Sequence, residues 1–492
     1  MNLDRSELSR ILGVDLPAGA DTVIGVTHDS RAVEAGFAFV AVPGFRFDGV
    51  QFVPEALRRG ASLIVAEREV PDTPTVVVPD ARAALAELAR AVHGHPSREL
   101  EVYGVTGTNG KTTTSYALYS ILSGIYGVEA CGLSTTAEIV VAGEREPALR
   151  TTPEAPEVQS MLARMLEAGV QRVVMEVSSH GVALKRVTGT HFAGAIFTNL
   201  TRDHLDLHGT MEAYFQAKRE LFVWADGPKL ANAEDEWGRR LASEIAGTKT
   251  FGGVPEADYR VEEVQSERNG TRFDLRHATG AVTLHTPLLG AYNVLNVAGA
   301  AAFALEIGAA PDALVGAVRD MAQVPGRFER VSTERALPFE VIVDYAHTDV
   351  GLAAVLEVAR QTAAATGEHP QGRVICVFGA AGDRDKAKRP LMGEVASRLA
   401  DVSIVTTDDA YSEDPVTIAN EVAVGADPAR TTVIVDRREA IREALLQARH
   451  GDIVVVAGKG HERVQHLPDG DVEFHDATVV GELLAELGPA VA

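Results

Sequence analysis

The chain has 492 residues, of which 46% are hydrophobic and 23% charged, and its formal net charge is −23 at pH 7. Because a single hydrophobic core rarely extends beyond roughly 250 to 300 residues, we expect about two to four domains. The ordinary composition argues against fibrous and disordered chains, and the strong negative charge argues against nucleic acid as a partner.

The two cysteines and the N-terminal segment narrow the class further. Cys131 and Cys376 lie far apart and lack the spacing of metal ligands. This argues against a disulfide framework or a zinc site and predicts two core residues. The first residues, MNLDRSELSRILGVDL, mix charges with leucines and contain no apolar run that suits a signal peptide or a membrane span. We therefore expect a cytoplasmic protein without a membrane partner.

The predicted elements indicate an α/β protein of three domains. Residues 1–98 alternate short apolar runs with helical stretches, one of which begins at Val53, and predict a small N-terminal α/β domain. Residues 99–330 hold a strand, a glycine-rich turn and a helix, and then runs typical of a mostly parallel sheet. Residues 331–492 carry strand-like runs separated by helix-length segments. They predict a C-terminal Rossmann-like domain, with an exposed loop at Ala364 to Gly372.

The clearest local motif follows the first strand of the central domain and precedes a helix. A glycine-rich turn at this place lets backbone N–H groups and the helix N-terminus hold phosphates, which predicts a P-loop ATPase-like domain. Lys111 would meet the terminal phosphates of ATP, and Thr112 would be a hydroxyl ligand of Mg²⁺. A glycine turn with a surface lysine is the alternative, because Val105 replaces the first glycine of the strict GxxxxGK[ST] pattern. The motif comprises Gly107, Thr108, Asn109, Gly110, Lys111, Thr112 and Thr113.

Three further residues downstream of this turn are candidates for chemistry. Glu176 ends the predicted strand in MEVSSHG, and His204 lies in TNLTRDHLDLHG, just past another strand. Since ligands of parallel α/β sheets collect at the carboxyl ends of strands, these two side chains could hold a second divalent cation. Each by itself fits a structural or solvated role as well. Lys218, in AYFQAKRELF, falls on a predicted helix, where taken alone it is a surface lysine.

A series of motifs spans nearly the whole chain. In order, it contains GTNGKTT, EVSSHG, TNLTRDHLDLHG, AKRELF, GAYNVLNVAGA, VPGRFE, DYAHT, GDRDKAKRP and AGKGHE. This series resembles the Mur ligases of peptidoglycan synthesis, and more narrowly the MurE type, which adds the third residue of the stem peptide. The resemblance implies an ATP-dependent ligase of cell-wall biogenesis, and hence of cell shape and division. Its substrates would be UDP-MurNAc-L-Ala-D-Glu and a free amino acid, and we expect a monomer.

The resemblance also implies roles for individual residues. Lys218 would be carbamylated by CO₂ and so become an anion that ligates magnesium. The residues implied around two Mg²⁺ ions are Thr112, Glu176, His204 and Lys218, the last three of which, with Lys111, would be catalytic. The implied nucleotide contacts beyond the glycine-rich turn are Asn293, Asn296, Arg327, Asp344 and His347. The implied contacts of the UDP-linked substrate are Ser30, Thr151, Thr152, Ser178 and Arg186. A turn role for Ser30 and a helix-capping role for the two threonines fit the local sequence equally well.

The implied mechanism begins when the D-glutamyl carboxylate attacks the γ-phosphate of ATP, while the two Mg²⁺ ions neutralise the accumulating charge. The amino group of the incoming amino acid then attacks the acyl phosphate. The resulting tetrahedral species collapses to amide and phosphate. Because water would destroy the acyl phosphate, we expect the third domain to close over the second.

The identity of the incoming amino acid depends on one motif. The residues that the resemblance assigns to it are Arg384, Asp408, Asp409, Gly458 and Glu462, with Arg384 pairing with the α-carboxylate. Enzymes of this type that use meso-diaminopimelate carry DNPR or DDPR, whose arginine binds the distal carboxylate, whereas this chain reads DDAY at 408–411. Burying that carboxylate unpaired would cost on the order of several kcal/mol. Asp409 and Glu462 instead offer anions to an ammonium, which predicts L-lysine or L-ornithine.

Four alternatives stay open at this point. The first is a meso-diaminopimelate-adding enzyme of the same type. The second is a ligase like folylpolyglutamate synthase, which shares the phosphate loop, the modified lysine and the amide-forming reaction but lacks an N-terminal domain like residues 1–98. The third is a nucleotide-binding protein without turnover, which the presence of Lys111, Glu176 and Lys218 disfavours. A motor or signalling ATPase is disfavoured because no second phosphate-sensing module is apparent.

Overall fold

The computed structural model of the protein describes residues 2–16, 22–44, 47–148, 150–267, 269–331, 337–365 and 372–488. The chain divides into two compact units. The first comprises residues 1–263, 273–284 and 295–321, and the second comprises residues 264–272, 285–294 and 322–492. No helix within the described ranges is both long enough and apolar enough to cross a membrane.

The N-terminal part of the first unit is a small parallel sheet with helices. Its strands are β1 (Leu3–Asp4), β2 (Thr22–Val23), β3 (Gly25–Thr27), β4 (Phe37–Ala41), β5 (Leu63–Ala66) and β6 (Thr75–Val77), and its helices are α1 (Arg5–Leu12), α2 (Val53–Arg58) and α3 (Ala81–Val92). Strands β3 to β6 form the parallel sheet and pair in chain order, whereas β1 and β2 pair antiparallel in a separate two-stranded sheet. The Asp80 side chain accepts from the Ala83 amide and so begins α3, which packs its alanines and leucines on the sheet.

The central part is built on a large mixed sheet. Its strands are β7 (Glu101–Thr106), β8 (Cys131–Ser134), β9 (Glu138–Val141), β10 (Glu144–Pro147), β11 (Arg172–Glu176), β12 (Gly194–Phe197), β13 (Lys229–Asn232), β14 (Thr248–Gly252), β15 (Tyr259–Glu267), β16 (Gly270–His277) and β17 (Gly280–Thr286). The sheet order is β10-β9-β8-β11-β7-β12-β13-β14-β15-β16-β17. Strands β8, β11, β7, β12, β13, β14 and β15 run parallel. The carboxyl ends of β11, β7 and β12 are therefore neighbours at one edge.

Helices connect most of the parallel strands. They are α4 (Lys111–Tyr126), α5 (Ala155–Glu167), α6 (Ser179–Ala183), α7 (Leu205–His208), α8 (Met211–Trp224), α9 (Glu236–Glu244), α10 (Ala291–Glu306) and α11 (Pro311–Arg319). The core on one face of the sheet is formed by apolar residues of β7, β11 and β12 packed against α5 and α8. Apolar runs such as VVME in β11 and GAIF in β12 are fully buried because helices or loops cover both faces.

The C-terminal part is a Rossmann-like sheet that lies within the second unit. Its strands are β18 (Glu329–Arg330), β19 (Glu340–Asp344), β20 (Val374–Phe378), β21 (Val402–Val405), β22 (Thr431–Val433), β23 (Ile453–Ala457), β24 (Val464–Leu467) and β25 (Gly470–Glu473). Its helices are α12 (Asp349–Ala365), α13 (Lys388–Leu399), α14 (Pro415–Ala423), α15 (Arg437–Gln447) and α16 (Asp476–Leu487). The sheet order is β18-β19-β23-β20-β21-β22, and β24 pairs with β25 in a separate hairpin.

Most predicted elements are confirmed, one expectation needs correction, and several elements were not predicted. The α/β fold class and the strands that precede the candidate residues are as expected, and both cysteines are buried. The expected loop at Ala364 to Gly372 is wrong at its start, since α12 continues to Ala365, and residues 366–371 lie outside the described ranges. Helix α1 and the hairpins formed by β15 to β17 and by β24 and β25 were not predicted.

Candidate active site

The glycine-rich turn lies between β7 and α4, as predicted, and the segment after β12 holds it in place. The Thr108 amide donates to the Asn199 carbonyl at 2.8 Å, and the Asn109 amide donates to the Asn199 side chain at 2.9 Å. Thr198 donates its hydroxyl to the Asn109 carbonyl at 2.6 Å. The Lys111 ammonium donates to the Thr108 carbonyl at 2.7 Å. These contacts engage the Thr108 and Asn109 amides. Gly110, the N-cap residue, has no side chain to cap the helix, so the amides that can meet an anion are those that begin this sixteen-residue helix.

Two glycines of this turn have conformations that other residues rarely adopt. Gly110 has a φ of +81°, and a Cβ at this position would lie 2.3 Å from Oδ1 of Asn296. At Gly107 a Cβ would lie 1.8 Å from the Thr198 hydroxyl. Asn296 also accepts from the Thr114 hydroxyl at 3.2 Å. Asn296, expected near the adenine, therefore lies against the phosphate loop.

The four residues expected around magnesium lie near this turn in the first unit. The Thr112 hydroxyl donates to Oε2 of Glu176 at 3.1 Å, and both side chains are buried. His204 adopts a left-handed conformation with a φ of +52° before α7. Burial lowers the pKa of His204 against an opposing effect of the Asp203 carboxylate, and the Lys111 ammonium lowers it further. These groups form one electrostatic neighbourhood of hydroxyl, carboxylate, imidazole and amine.

Lys218 is buried, so the reading of it as a surface lysine is wrong. It is 1% exposed on α8, and its amine donates to the Gly107 carbonyl at 2.5 Å. Its nitrogen also lies 4.6 Å from the centre of the Tyr214 ring. Burial, together with the ammonium of Lys111, holds the pKa of Lys218 well below its usual range, against a smaller opposing effect of Asp203 and Glu176. Its neutral amine, which is the nucleophilic form, is thereby favoured.

An imidazole and a phenol that the sequence reasoning did not single out complete this neighbourhood. The ring of His180 lies 4.7 Å from that of His204, edge to face. Burial and the charges of His204 and Arg186 lower the pKa of His180 to about 4. The Tyr214 hydroxyl lies 3.2 Å from the Thr108 hydroxyl. Both residues stand inside the motifs EVSSHG and AYFQAK, which was the available signal.

The residues expected to contact the UDP-linked substrate fall into two groups. The buried Ser30 donates its hydroxyl to Glu55 at 2.7 Å, within the N-terminal part. In the central part, the Ser178 amide donates to the Thr152 hydroxyl at 3.0 Å, and Arg186 donates to the Thr152 carbonyl at 3.2 Å. These contacts connect the expected substrate residues to the carboxyl end of β11.

The contacts of Arg186, Thr151 and Thr152 differ from those expected. Arg186 forms an ion pair of 2.8 Å with Glu154, so its charge is already partly neutralised. Helix α5 has Glu154 as its N-cap residue, which excludes Thr151 and Thr152 from that capping role. The Thr151 hydroxyl instead donates to that of Thr136 at 3.1 Å.

The expected nucleotide residues of the second unit surround the end of β19. Asp344 is buried, and its carboxylate accepts from the Phe328 amide at 2.6 Å and the Ala346 amide at 2.7 Å. The Arg327 guanidinium lies 4.4 Å from the centre of the Tyr345 ring, and the His347 ring lies 4.7 Å from it. Asn293, in the same unit, donates to the Leu289 carbonyl at 2.8 Å.

The expected amino-acid residues gather at the carboxyl ends of β21 and β23. Lys459 is fully buried, and its ammonium donates to Asp409 at 2.7 Å and to Glu462 at 3.0 Å. Asp408 is 4% exposed, and its Oδ2 has no hydrogen-bond partner within the described ranges. Gly458 lies beside this oxygen, since a Cβ on it would approach Oδ2 to 2.4 Å.

This arrangement changes which carboxylate is open to a ligand. Asp409 and Glu462 were expected to offer free anions, but Lys459 already pairs with both of them. The oxygen that still lacks a donor belongs to Asp408. Asp408, Asp409 and Glu462 together with Lys459 carry three negative charges against one positive charge. The pocket is therefore anionic.

Tyr411 and Arg384 lie at the edge of the same pocket. The Tyr411 ring stacks on that of His466, with centroids 5.2 Å apart and planes 13° apart. The exposed Arg384 places its guanidinium carbon 5.7 Å from the centre of the Tyr411 ring. Hydrogen bonds from Ser412 to Asp383, at 2.8 and 2.9 Å, join the two loops. The structure thus brings together Arg384 and the 408–411 segment.

Comparison with known proteins identifies relatives along nearly the whole chain. The family models that match are "Mur ligase family, catalytic domain" at residues 22–93, "Mur ligase middle domain" at residues 105–304, and "Mur ligase, glutamate ligase domain" at residues 326–460. A UDP-N-acetylmuramoyl-L-alanyl-D-glutamate–2,6-diaminopimelate ligase from Solibacter usitatus is 44% identical over 95% of this chain and 94% of its own. The ligase of the same name from Gloeobacter violaceus is 42% identical over 94% of both chains.

Solved structures give the same result. A UDP-N-acetylmuramoyl-L-alanyl-D-glutamate–2,6-diaminopimelate ligase has a TM-score of 0.67 at 31% identity and covers 99% of both chains. MurF from Acinetobacter baumannii has a TM-score of 0.66 at 20% identity, also over 99% of both. The folylpolyglutamate synthase of Mycobacterium tuberculosis has a TM-score of 0.63 at 16% identity and covers 82% of this chain, a likeness of fold alone.

Proposed function

The chain belongs to the Mur ligase family and is of the MurE type, and from this premise we propose that the amino acid it adds is L-lysine or L-ornithine. The enzyme is an ATP-dependent amino acid ligase that forms a UDP-MurNAc tripeptide in peptidoglycan synthesis.

Magnesium and a carbamate fit the residues around the phosphate loop. Within the described ranges, no three His, Cys, Asp or Glu side chains are clustered as metal ligands, and Thr112, Glu176 and His204 supply only one carboxylate. The Lys218 amine is buried beside them and favoured in its neutral form. Addition of CO₂ to this amine forms an N–C bond and releases a proton, which would convert it into a carboxylate. Bound Mg²⁺ would neutralise charge on the transferred phosphoryl group.

Different groups of the chain bind ATP and orient the UDP-linked substrate for the first step, the formation of the acyl phosphate. The first amides of α4 and the Lys111 ammonium hold the phosphates of ATP at the N-terminus of this helix. The D-glutamyl carboxylate of the substrate attacks the γ-phosphate, so an O–P bond forms and ADP leaves. Arg186 and Ser178 orient the UDP-linked substrate at the end of β11, and Ser30 does so from the N-terminal part.

The second step joins the amino acid to the acyl phosphate. Its amino nitrogen forms the C–N bond, phosphate leaves, and one proton is released. Arg384 binds the α-carboxylate of the incoming amino acid, and the 408–411 segment receives its side chain. Arg327, Asp344 and His347 are further candidates for contacts with the nucleotide.

One observation carries the proposal of a diamine: the unpartnered Oδ2 of the buried Asp408. A buried carboxylate oxygen without a donor is costly, and a side-chain ammonium supplies both the missing donor and a compensating charge. The pocket's three carboxylates and one ammonium leave room for a further positive charge. A second carboxylate there would increase the repulsion.

The second candidate is meso-diaminopimelate, and a specific finding favours it. The relatives that are 44% and 42% identical to this chain carry 2,6-diaminopimelate in their names. Diaminopimelate also has an ammonium at its distal end, which could meet Asp408. Its distal carboxylate, however, would have to share the neighbourhood of Tyr411 with Asp408 and Asp409.

The test is release of phosphate from ATP with UDP-MurNAc-L-Ala-D-Glu and one amino acid at a time: L-lysine, L-ornithine or meso-diaminopimelate. We expect turnover with L-lysine or L-ornithine. The kcat/KM for diaminopimelate should be lower than for the better of these two by about tenfold or more. Asp408→Asn should remove most of the preference for L-lysine or L-ornithine over diaminopimelate, because it removes a carboxylate that repels the distal carboxylate of diaminopimelate. Asp469→Asn, in the turn of the β24–β25 hairpin, serves as the control. Preferential use of diaminopimelate by the wild-type enzyme would contradict the proposal.

A further inference from the structure

A fully buried ion pair lies beneath the amino-acid pocket. Arg437, the first residue of α15, and Asp476, the first residue of α16, both have side chains that are 0% exposed. The pair is bidentate, with Nε donating to Oδ1 at 2.8 Å and Nη2 donating to Oδ2 at 2.7 Å. Neither residue belongs to the set that the sequence assigns to substrates.

The same guanidinium also joins the ends of two strands that are not neighbours in the sheet. Nη2 of Arg437 donates to the Ala457 carbonyl at 3.0 Å, and Nη1 donates to the Thr407 carbonyl at 3.3 Å. Ala457 ends β23 and Thr407 follows β21, and β20 lies between these strands. The residues that come next are Gly458 and Asp408. Arg437 therefore bridges the ends of β21 and β23, at the positions that immediately precede the pocket residues Asp408 and Gly458.

The energetics of this ion pair indicate that it positions neighbouring residues rather than stabilising the fold. Removing two charges from water costs several kcal/mol by order of magnitude, and well-packed apolar residues are often as stable as a buried ion pair. Although burial opposes the charged form, Asp476 and the nearby Asp408 and Asp409 raise the pKa of Arg437. The cation thus persists and attracts the carboxylates above it.

Since Asp408 Oδ2 lies against Gly458, a small change in the separation of the two strand ends would move the oxygen. We propose that Arg437, held by Asp476, is a positioning residue that fixes Asp408 relative to Gly458 for binding of the incoming amino acid. This inference rests on the proposed function, because it takes the 408–411 segment and Gly458 as the amino-acid site. Arg437 itself does not touch the substrate.

The test measures the KM of each substrate separately in the full-length enzyme. In R437K, the charge persists but one ammonium cannot satisfy two carboxylate oxygens and two carbonyls in this planar geometry. In R437M/D476L, both charges are removed together, so no unpaired charge is buried. For both variants we expect the KM for the amino acid to rise by about tenfold, with the KM values for ATP and the UDP-linked substrate within about twofold of wild type.

The matched control is an ion pair at the amino ends of the strands of the same sheet, whereas Arg437 lies at their carboxyl ends. Arg373 and Asp452 pair at 2.6 Å just before β20 and β23 begin, and R373M/D452L should leave the KM for the amino acid unchanged. A wild-type KM for the amino acid in R437K overturns the inference, as does an equal rise in all three KM values. If R437M/D476L does not fold, R437K alone decides. The amino acid used is whichever the wild-type enzyme accepts, so a wrong choice of diamine is detected separately.

Discussion

Lys218 combines burial with a neighbouring ammonium, and both factors favour its neutral amine. A neutral amine adds CO₂, whereas an ammonium cannot, so we predict a carbamate at this position under ordinary CO₂ pressure. Lys218→Gln should lower kcat by on the order of 10² to 10³-fold, because it removes an anion from the site of phosphoryl transfer. The measurement is carbon-13 NMR of enzyme equilibrated with labelled CO₂, together with the rate of phosphate release.

The matched control for this experiment is Lys249, which is half exposed and pairs with Glu306. Its ammonium is solvated and should take up no label, so Lys249→Gln should keep both the carbamate signal and the activity. A carbamate signal that survives Lys218→Gln would assign the modification to another amine.

Glu462 makes the use of a diamine dependent on pH. Burial raises the pKa of Glu462, the Lys459 ammonium opposes this, and the carboxylates of Asp408 and Asp409 raise it again, with a net upward shift. The carboxylate is therefore charged above this raised pKa and is neutralised as the pH falls through it, at a higher pH than for an ordinary glutamate. We predict that kcat/KM for the amino acid decreases on the acidic side over that range, because kcat/KM reports the enzyme form that has not yet bound the amino acid.

Glu462→Gln should show a lower kcat/KM for the amino acid and lose this acidic decrease. Glu473→Gln, at an exposed position of β25, should retain it. The pH profile is measured at saturating ATP and UDP-linked substrate. An acidic decrease of unchanged midpoint in Glu462→Gln would show that another group is responsible.

At the residue scale, the sequence predicted the identities of the site residues better than their partners. The motif placed Asp409 and Glu462 at the amino-acid site, yet it could not show that Lys459 pairs with both of them. The burial of Lys218 was also missed, because a lysine on an amphipathic helix is usually exposed. Both facts depend on residues far away in the chain that only the folded sheet brings close.

At the scale of elements, the turn from β7 into α4 offers a sharp prediction. Gly110 and Gly169 both have a positive φ, of +81° and +84°, but a Cβ on Gly110 would meet Asn296, whereas one on Gly169 would have nothing within 4 Å. Alanine should cost stability at both positions, by about 1 to 2 kcal/mol, because of the left-handed backbone. In Gly110→Ala the clash should also displace the phosphate loop and raise the KM for ATP by roughly tenfold or more.

Comparing Gly110→Ala with Gly169→Ala separates the effect of a displaced phosphate loop from the effect of a strained backbone. Thermal unfolding measures the loss of stability in both variants, and initial rates measure the KM for ATP. Gly169→Ala should keep the KM of the wild-type enzyme. Equal KM values for ATP in the two variants would mean that the loop tolerates a displaced Asn296.

Elements with strong periodicity were predictable, and elements defined by polar contacts were not. The buried strands β11, β12, β20 and β23 follow from continuous apolar runs. Helix α1 was missed although Asp4 and Glu7 form a capping box, a signal that the sequence does contain. Strands β15 to β17 have many exposed side chains. Their sequences therefore lack the continuous apolar runs from which the buried strands were predicted.

At the scale of the whole molecule, length and motif order predicted three α/β domains, and the boundaries at 98 and 330 remain predictions. The order of strands in each sheet could not be derived from the sequence. Strand β23, for example, pairs with β19 and β20, although most of the C-terminal part separates it from β19 in the chain. That pairing brings the AGKGHE motif beside the DYAHT motif, and both motifs contribute to the second unit's candidate site.

The net charge of the molecule should also affect the choice of amino acid. With a formal charge of −23, the protein attracts a cationic amino acid at long range and has little effect on one of zero net charge. L-lysine carries one net positive charge at neutral pH, whereas meso-diaminopimelate carries none. Because the screening length falls from about 10 Å at 0.1 M salt to about 3 Å at 1 M, added salt should weaken this attraction.

We therefore predict that kcat/KM for L-lysine falls severalfold as the ionic strength rises, while kcat/KM for meso-diaminopimelate, where turnover is measurable, stays nearly constant. ATP and the UDP-linked substrate are kept saturating, so that their own electrostatics do not enter. Sodium chloride and potassium acetate are compared to separate screening from specific anion binding. A kcat/KM for L-lysine that is independent of salt would mean that recognition depends on the desolvated contact with Asp408 alone, since buried pairs are screened much less than exposed ones.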